Sequence, residues 1–178
     1  MRSALVVGAG PGISLAFARV LAAHDYTVTL ASRTPGAELI AEAGRIGARI
    51  ATADATDAAQ VERLFAELDA GGDALDVVLY NASYRVRGPL VGLDPAQVAR
   101  SLNVTAFGGF LVAQQAARRM LARGSGTMLF TGASASVKGY PESAPFAMGK
   151  FALRGLAQSM ARELAPRGIH VAHVVIDG

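Results

Sequence analysis

Three glycines two residues apart, Gly8, Gly10 and Gly12, open this 178-residue chain's first stretch able to do chemistry, Val7-Gly8-Ala9-Gly10-Pro11-Gly12-Ile13-Ser14. A residue without Cβ lets the backbone turn tightly and approach a pyrophosphate. The helix behind such a turn offers unpaired N–H groups and the positive end of its dipole to phosphate oxygens. Gly8, Gly10, Pro11, Gly12 and Ile13 are therefore candidate phosphate-binding residues, and the same spacing also serves as a plain strand-to-helix turn. A second candidate is Lys150, one of two lysines in the chain, set in a segment otherwise rich in small and apolar residues. The three histidines, His24, His170 and His173, have no ligand spacing, and no cysteine is present, so no metal site is expected.

Chemistry of this kind needs strands and helices to aim it. Apolar runs predict strands over 4–7, 26–31, 48–53, 75–80, 127–131 and 169–176. Helical periodicity follows the glycine turn and recurs over 37–46, from Asp57 to Leu68, over 95–123 and over 146–165. Asp57 and Asp94-Pro95 supply the N-cap chemistry that starts two of these helices. The near-continuous run Leu75-Asp76-Val77-Val78-Leu79-Tyr80 suits a strand buried on both faces. Such alternation predicts a doubly wound parallel sheet between two helix layers, a three-layer α/β/α Rossmann fold. No linker or repeat divides the chain, so a single domain over 1–178 is expected. In such sheets ligands sit beyond the carboxyl ends of the strands, at the switch point.

Composition narrows the class. A content of 52% hydrophobic and 17% charged residues belongs to a filled globular core. The net charge of +3 comes from scattered arginines, with no basic stripe interleaved with aromatics, which argues against nucleic acid as a partner. The longest uncharged run, 101–117, carries Asn103, Thr105, Gln114 and Gln115 and suits no bilayer. Met1-Arg2-Ser3 leads directly into a strand, so no signal peptide is expected and the location expected is the cytoplasm.

Taken together, the ordered motifs resemble the short-chain dehydrogenase/reductase family over essentially the whole length. The glycine turn resembles the family's T-G-x-x-x-G-x-G, with Ser14 at the third glycine position. Tyr80-Asn81-Ala82-Ser83 resembles its N-N-A-G, Asp54 its adenine-side Asp, Asn103 its mid-helix Asn, and Lys150 its ribose-binding Lys. The resemblance implies a nicotinamide cofactor and hydride transfer to or from a small substrate. It implies that Asp54 and Ala55 meet the adenine, that Asn81, Ala82 and Ser83 line the nicotinamide ribose, and that Asn103, Ser134 and Lys150 take catalytic positions. Ser32-Arg33 closes the second strand where an NAD binder places an acid on the ribose 2′-hydroxyl. A guanidinium and a hydroxyl there suit a 2′-phosphate, so NADP(H) is expected over NAD(H).

The sequence also departs from the family pattern. Four residues before Lys150, where the family has its proton-donating Tyr, stands Phe146, whose ring has no proton to give. The family's serine spacing falls on Ala133, with Ser134 and Ser136 both near, Ser134 adjacent to it. Tyr84 and Tyr140 are the phenols in loops on the expected rim. Gly8 to Ser14-Leu15-Ala16 also fits the family's enoyl-reductase branch, whose tyrosine falls on Ser143, so carbonyl and C=C reduction both stand open, as does a cofactor-binding protein with little catalysis. After the sixth strand the family commonly adds a lid and a seventh strand; neither follows here, and an open pocket is expected. The helices at 95–123 and 146–165 resemble the family's dimer and tetramer helices, with Gly108, Gly109, Ala113, Ala116 and Gly155 as small residues for close contact.

Overall fold

The structure, a computed structural model, describes residues 2–177. Six parallel strands, β1 (Arg2–Val7), β2 (Tyr26–Ser32), β3 (Arg49–Thr52), β4 (Ala74–Tyr80), β5 (Gly126–Thr131) and β6 (Ile169–Val174), form one sheet in the order β3-β2-β1-β4-β5-β6. The helices are α1 (Ile13–Ala23), α2 (Ala37–Ile46), α3 (Ala58–Ala70), α4 (Pro95–Leu102), α5 (Gly108–Arg123) and α6 (Ala144–Leu164). This is the expected three-layer α/β/α Rossmann arrangement.

β1 explains the layering. Its side chains alternate between two cores, Leu5 and Val7 with α3, α5 and α6, and Ala4 and Val6 with α1 and α2. All four are essentially buried, and full burial of a Val- or Leu-sized side chain stabilises by roughly 1.5–3 kcal/mol. The chain moves outward from β1 through β2 to β3, then returns to place β4 on the other side of β1. Val7 is level with Ala31 on one side and Tyr80 on the other. The crevice therefore opens where the loops after β1 and β4 part.

Three differences from the expected boundaries bear on the cleft. The helix at 95–123 is interrupted by a wide π turn over Asn103–Phe107, in which the Gly108 N–H reaches back to the Asn103 carbonyl. The cause is packing. A Cβ on Gly108 would lie 2.5 Å from the Tyr80 hydroxyl, and one on Gly109 2.7 Å from Leu153 Cδ1. The helix comes this close to β4, and the wide turn leaves the Val104 carbonyl to accept the Tyr80 hydroxyl at 2.5 Å. Gly108, Gly109, Ala113 and Ala116 are thus packed inside the molecule, not presented for contact with a second copy. α6 begins at Ala144, two residues early, since Pro145 tolerates a first-turn position. β6 ends at Val174, after which the Val174 and Ile176 carbonyls accept the Gly132 and Ser134 N–H groups across the loop.

Candidate functional site

Two adjoining cavities lie along the carboxyl edge of the sheet. The first, about 430 Å³, is lined by the ends of β1 to β4, with Gly8, Ser32, Arg33, Asp54, Ala55 and Asn81 on its wall. The second, about 560 Å³, is lined among others by Ile13, Ser134, Tyr140, Ser143, Phe146 and Lys150. Asn81 and Ser83 face both, which joins the two into one elongated cleft. Ala82 lines the first.

The glycine turn is built to take a ligand against its backbone. Gly8 has φ +77°, and a Cβ there would lie 2.4 Å from the Ala82 nitrogen, so only glycine lets the β1 and β4 loops touch. At Gly10 and Gly12 the opposite holds: an added Cβ meets nothing within 4 Å. Gly12 caps α1 with φ 89° and contributes no side-chain hydrogen bond, leaving the first-turn N–H groups without a cap. Space beside the backbone and an uncapped helix start are what a pyrophosphate requires. Gly10, Pro11 and Gly12 are themselves on neither cavity wall; they connect Ala9 in the first to Ile13 in the second.

Ser14 is a strut. Its buried hydroxyl accepts the Gly10 N–H at 2.9 Å and donates to the Gly10 carbonyl at 2.7 Å. The third glycine position has been given to a side chain that fixes the turn. Asn81 works the same way, its backbone N–H on the Val7 carbonyl at 2.9 Å and its Nδ2 on the Gly8 carbonyl at 3.3 Å.

Asp54 divides its carboxylate. Oδ1 accepts the Thr56 N–H at 2.9 Å and the Thr56 hydroxyl at 2.7 Å, while Oδ2 lies 3.9 Å from the Arg33 guanidinium. Burial pushes its pKa up, but the two Thr56 hydrogen bonds and Arg33 together hold it below the usual carboxylate value. Arg33 remains more than half exposed at the cavity mouth. Ionised Asp54 and the Arg33 fork therefore stand side by side at the end of β2 and β3.

In the second cavity Lys150 is 3% exposed and donates from Nζ to the Thr131 carbonyl at 2.6 Å. Burial lowers its pKa to about 8. The Phe146 ring lies beside it, with Nζ 5.6 Å from the ring centroid, and the Arg85 guanidinium sits 5.0 Å from the same centroid. Two cations therefore meet one ring where the family resemblance puts a phenol.

The two serines separate by position. Ser136 is buried and its hydroxyl accepts the Ala133 N–H at 3.0 Å, which fixes the loop. Ser134 is on the cavity wall beside Ala133. Its hydroxyl also meets Tyr140, whose phenol is held below its ordinary pKa by hydrogen bonding with Ser134 and Lys138 and by the Lys138 charge. The Lys138 ammonium is 5.1 Å from the Tyr140 ring centroid. Tyr84, the other candidate phenol, gives its hydroxyl to Gln97 at 2.8 Å.

Asn103 does not join this group. It is exposed, it lies on neither cavity wall, and its carbonyl is taken by the π turn. Sequence reasoning also missed Arg85 and Tyr80, whose signals were only a loop arginine and a strand-end aromatic. Among the described residues no group of three or more His, Asp or Glu side chains could hold a metal ion, and no helix is long and apolar enough to cross a membrane.

A doubly wound sheet with an uncapped glycine turn at its switch point, an acid–arginine pair at the ends of the second and third strands and a buried lysine across the cleft defines a nucleotide-binding α/β protein. The profile of the short chain dehydrogenase family matches residues 2–176, and the chain belongs to that family. It is 32% identical over 177 residues to the 3-oxoacyl-acyl-carrier-protein reductase MabA of Mycobacterium avium, covering 99% of this chain and 66% of that one. It is also similar to NAD+-bound xylitol dehydrogenase, with TM-score 0.94, 28% identity, and 99% of this chain on 70% of that one. A gluconate 5-dehydrogenase from Burkholderia cenocepacia J2315, in complex with NADP and tartrate, superposes with TM-score 0.90 at 32% identity, covering 99% of this chain and 71% of that one. The chain spans about two thirds of the length of the MabA relative. These relatives are dehydrogenases and reductases, and the two solved structures hold NAD+ and NADP respectively.

Proposed function

We propose that the chain is an NADP(H)-dependent oxidoreductase that interconverts a small carbonyl compound and its alcohol. The observation that carries this reading is the joined cleft, which puts the Arg33–Asp54 pair and the buried Lys150 at opposite ends of one ligand-sized groove, with the open glycine turn between them. Gly10, Pro11, Gly12 and Ile13 would receive the pyrophosphate, Asp54 and Ala55 the adenine, and Asn81, Ala82, Ser83 and Lys150 the nicotinamide ribose. Arg33 and Ser32 favour a 2′-phosphate over a bare hydroxyl. The tartrate and NADP of the gluconate 5-dehydrogenase relative support both the cofactor and a small polar substrate.

When bound, the nicotinamide supplies the hydride that reaches the carbonyl carbon. The chain must then deliver a proton to the carbonyl oxygen, and Phe146 has none. Tyr140 is the phenol on the wall of the cavity that holds Lys150, and it takes this role. Its Oη gives the proton to the substrate oxygen, assisted by Ser134, and the phenolate left behind lies against the Lys138 ammonium until water at the open rim returns a proton. Reduction of a C=C bond finds less support, because the Ser14 hydroxyl is spent on Gly10 and Ser143 stands where that branch has its tyrosine.

The partner proposed is a second copy of the chain, in a dimer or tetramer. The packed glycines turn the face of α5 and α6 outward through larger residues: Phe107, Phe110, Met148 and Phe151 are each 40–50% exposed, and Phe107 stacks on Phe110. Beside them an apolar groove of about 330 Å³ runs between α5 and α6, with Ala117, Leu156 and Met160 among its walls. The proposed location is the cytoplasm.

Separate titrations with NADPH and NADH, followed by thermal shift, test the cofactor reading, because a ligand that binds only the folded state raises its melting temperature. NADPH is expected to stabilise more than NADH. If neither nucleotide moves the transition, the reading is wrong. NADPH oxidation over a panel of aldehydes and ketones, compared between the parent and Tyr140→Phe, tests the proton route.

A further inference from the structure

The substrate end of the cleft carries more positive charge than a neutral carbonyl compound needs. Arg85 and Arg87, two residues apart on the loop after β4, both line the second cavity with Lys150. Neither is joined to a carboxylate among the described residues, whereas Arg19, Arg45, Arg119 and Arg123 each are. Arg85 is not loose: its guanidinium is laid over the Phe146 ring, which faces it into the cavity wall. The one acid on the wall, Asp177, acts on Lys138 and Tyr140.

An independent observation lies beside this pair. Ser143 is 2% exposed, lines the same cavity, and its hydroxyl has no hydrogen-bond partner. A buried hydroxyl without a partner costs free energy, and such groups in folded proteins call for an explanation. Ser143 is also the N-cap residue of α6, yet its side chain makes no capping bond. The first-turn N–H groups of this 21-residue helix are left open, Pro145 contributes none, and the positive end of the dipole faces the cavity residues Ser143 and Phe146. Two guanidinium forks, an unused hydroxyl and an uncapped helix start converge on one space.

We infer that this end of the cleft binds an organic oxyanion, a carboxylate or phosphate monoester carried by the substrate, through Arg85, Arg87 and Ser143. On this assignment Phe146 gives up the proton-donating role to become the shelf that orients Arg85. The inference rests on the proposed function only for calling the oxyanion part of the substrate; the anion site itself stands on the chain's own residues.

The test uses the full chain, with and without saturating NADP+, and three probes at matched ionic strength: malonate, methyl phosphate and chloride. Calorimetry and ligand-observed NMR are expected to show one of the two oxyanions binding once per chain, and which one does separates carboxylate from phosphate. Arg85→Ala and Arg87→Ala are each expected to weaken that probe on the order of 10-fold, because charge-assisted fork contacts are the strong ones. Arg85→Lys keeps the charge without the fork and is expected to stay weakened, and Phe146→Leu, which removes the shelf, to weaken it as well. NADP+ affinity and melting temperature are expected to hold in both arginine variants. Failure of both oxyanions to bind above chloride overturns the inference, as does equal binding by parent and arginine variants. Loss of NADP+ affinity in those variants also overturns it, since the arginines would then serve the cofactor. If NADP+ fails to bind the parent while malonate or methyl phosphate binds through Arg85, the cofactor reading falls and the anion site stands.

Discussion

Lys150 should make the stability of the protein depend on pH in a direction opposite to that of a paired lysine. Its ammonium is almost wholly buried against the Thr131 carbonyl, and burial lowers its pKa from 10.5 to about 8. In the unfolded chain the ordinary value returns. Below pH 8 both states carry the proton, and the folded state bears the full cost of holding a buried charge. Between about 8 and 10.5 the folded protein releases the proton while the unfolded chain keeps it, so stability rises with pH. Above 10.5 both are neutral and the cost is gone. The fall in pKa corresponds to about 3 kcal/mol. Lys150→Met isolates this contribution, because the variant cannot titrate at that position and any loss of the Thr131 contact is independent of pH. Urea unfolding of both proteins without nucleotide, from pH 6.5 to 11, should show the stability of the parent minus that of the variant rising by about 3 kcal/mol. In melting temperature this is roughly 6–12 °C for a chain of this size. A flat difference curve, or one that falls with pH, refutes the reasoning.

Other perturbations probe the rest of the cleft. Arg33→Ala should weaken NADPH roughly 10-fold or more and leave NADH unchanged in a fluorescence titration, since only the phosphorylated ribose meets the guanidinium. Gly8→Ala should cost at least about 2 kcal/mol in urea unfolding, because a Cβ at φ +77° would run into the Ala82 backbone. With Tyr140 as donor, reduction requires its phenol protonated, so the alkaline limb of NADPH oxidation should fall below the ordinary phenol value of 10.0. Lys138→Met should move that limb upward by removing the neighbouring cation, and a 295 nm phenol titration checks the same shift. Phe110→Lys should lower the molar mass seen by light scattering if a second copy covers the α5–α6 face; an unchanged mass counts against that partner.

The glycine turn, the run of strands and the Phe146 departure were all legible as sequence, because each is a local pattern. Gly8, Gly10 and Gly12 read alike in one dimension, yet Gly8 is required by the Ala82 backbone, Gly12 by its φ of +89°, and a Cβ at Gly10 would stand in open space. Ser14 read as a clue to a reaction branch and proved to be a strut of the turn. The choice between Ser134 and Ser136 depended on which hydroxyl the loop consumes, a matter of three-residue geometry within a folded turn. Asn103 was placed by its motif, and the structure sets it at the start of a π turn that no periodicity announces, where Gly108 and Gly109 bring the helix against Tyr80 and Leu153.

What the sequence alone determined is the class of fold and the turn and strand-end residues that line the carboxyl edge of the sheet, because hydrophobic period and glycine spacing act within a few residues of one another. Tertiary structure decided the substrate end. Arg85 and, more than fifty positions further on, Tyr140, Ser143 and Phe146 acquire their meaning only when the β4 loop and the start of α6 close on one cavity. There the ring of Phe146 serves as a surface for a cation, and the phenol at hand is Tyr140.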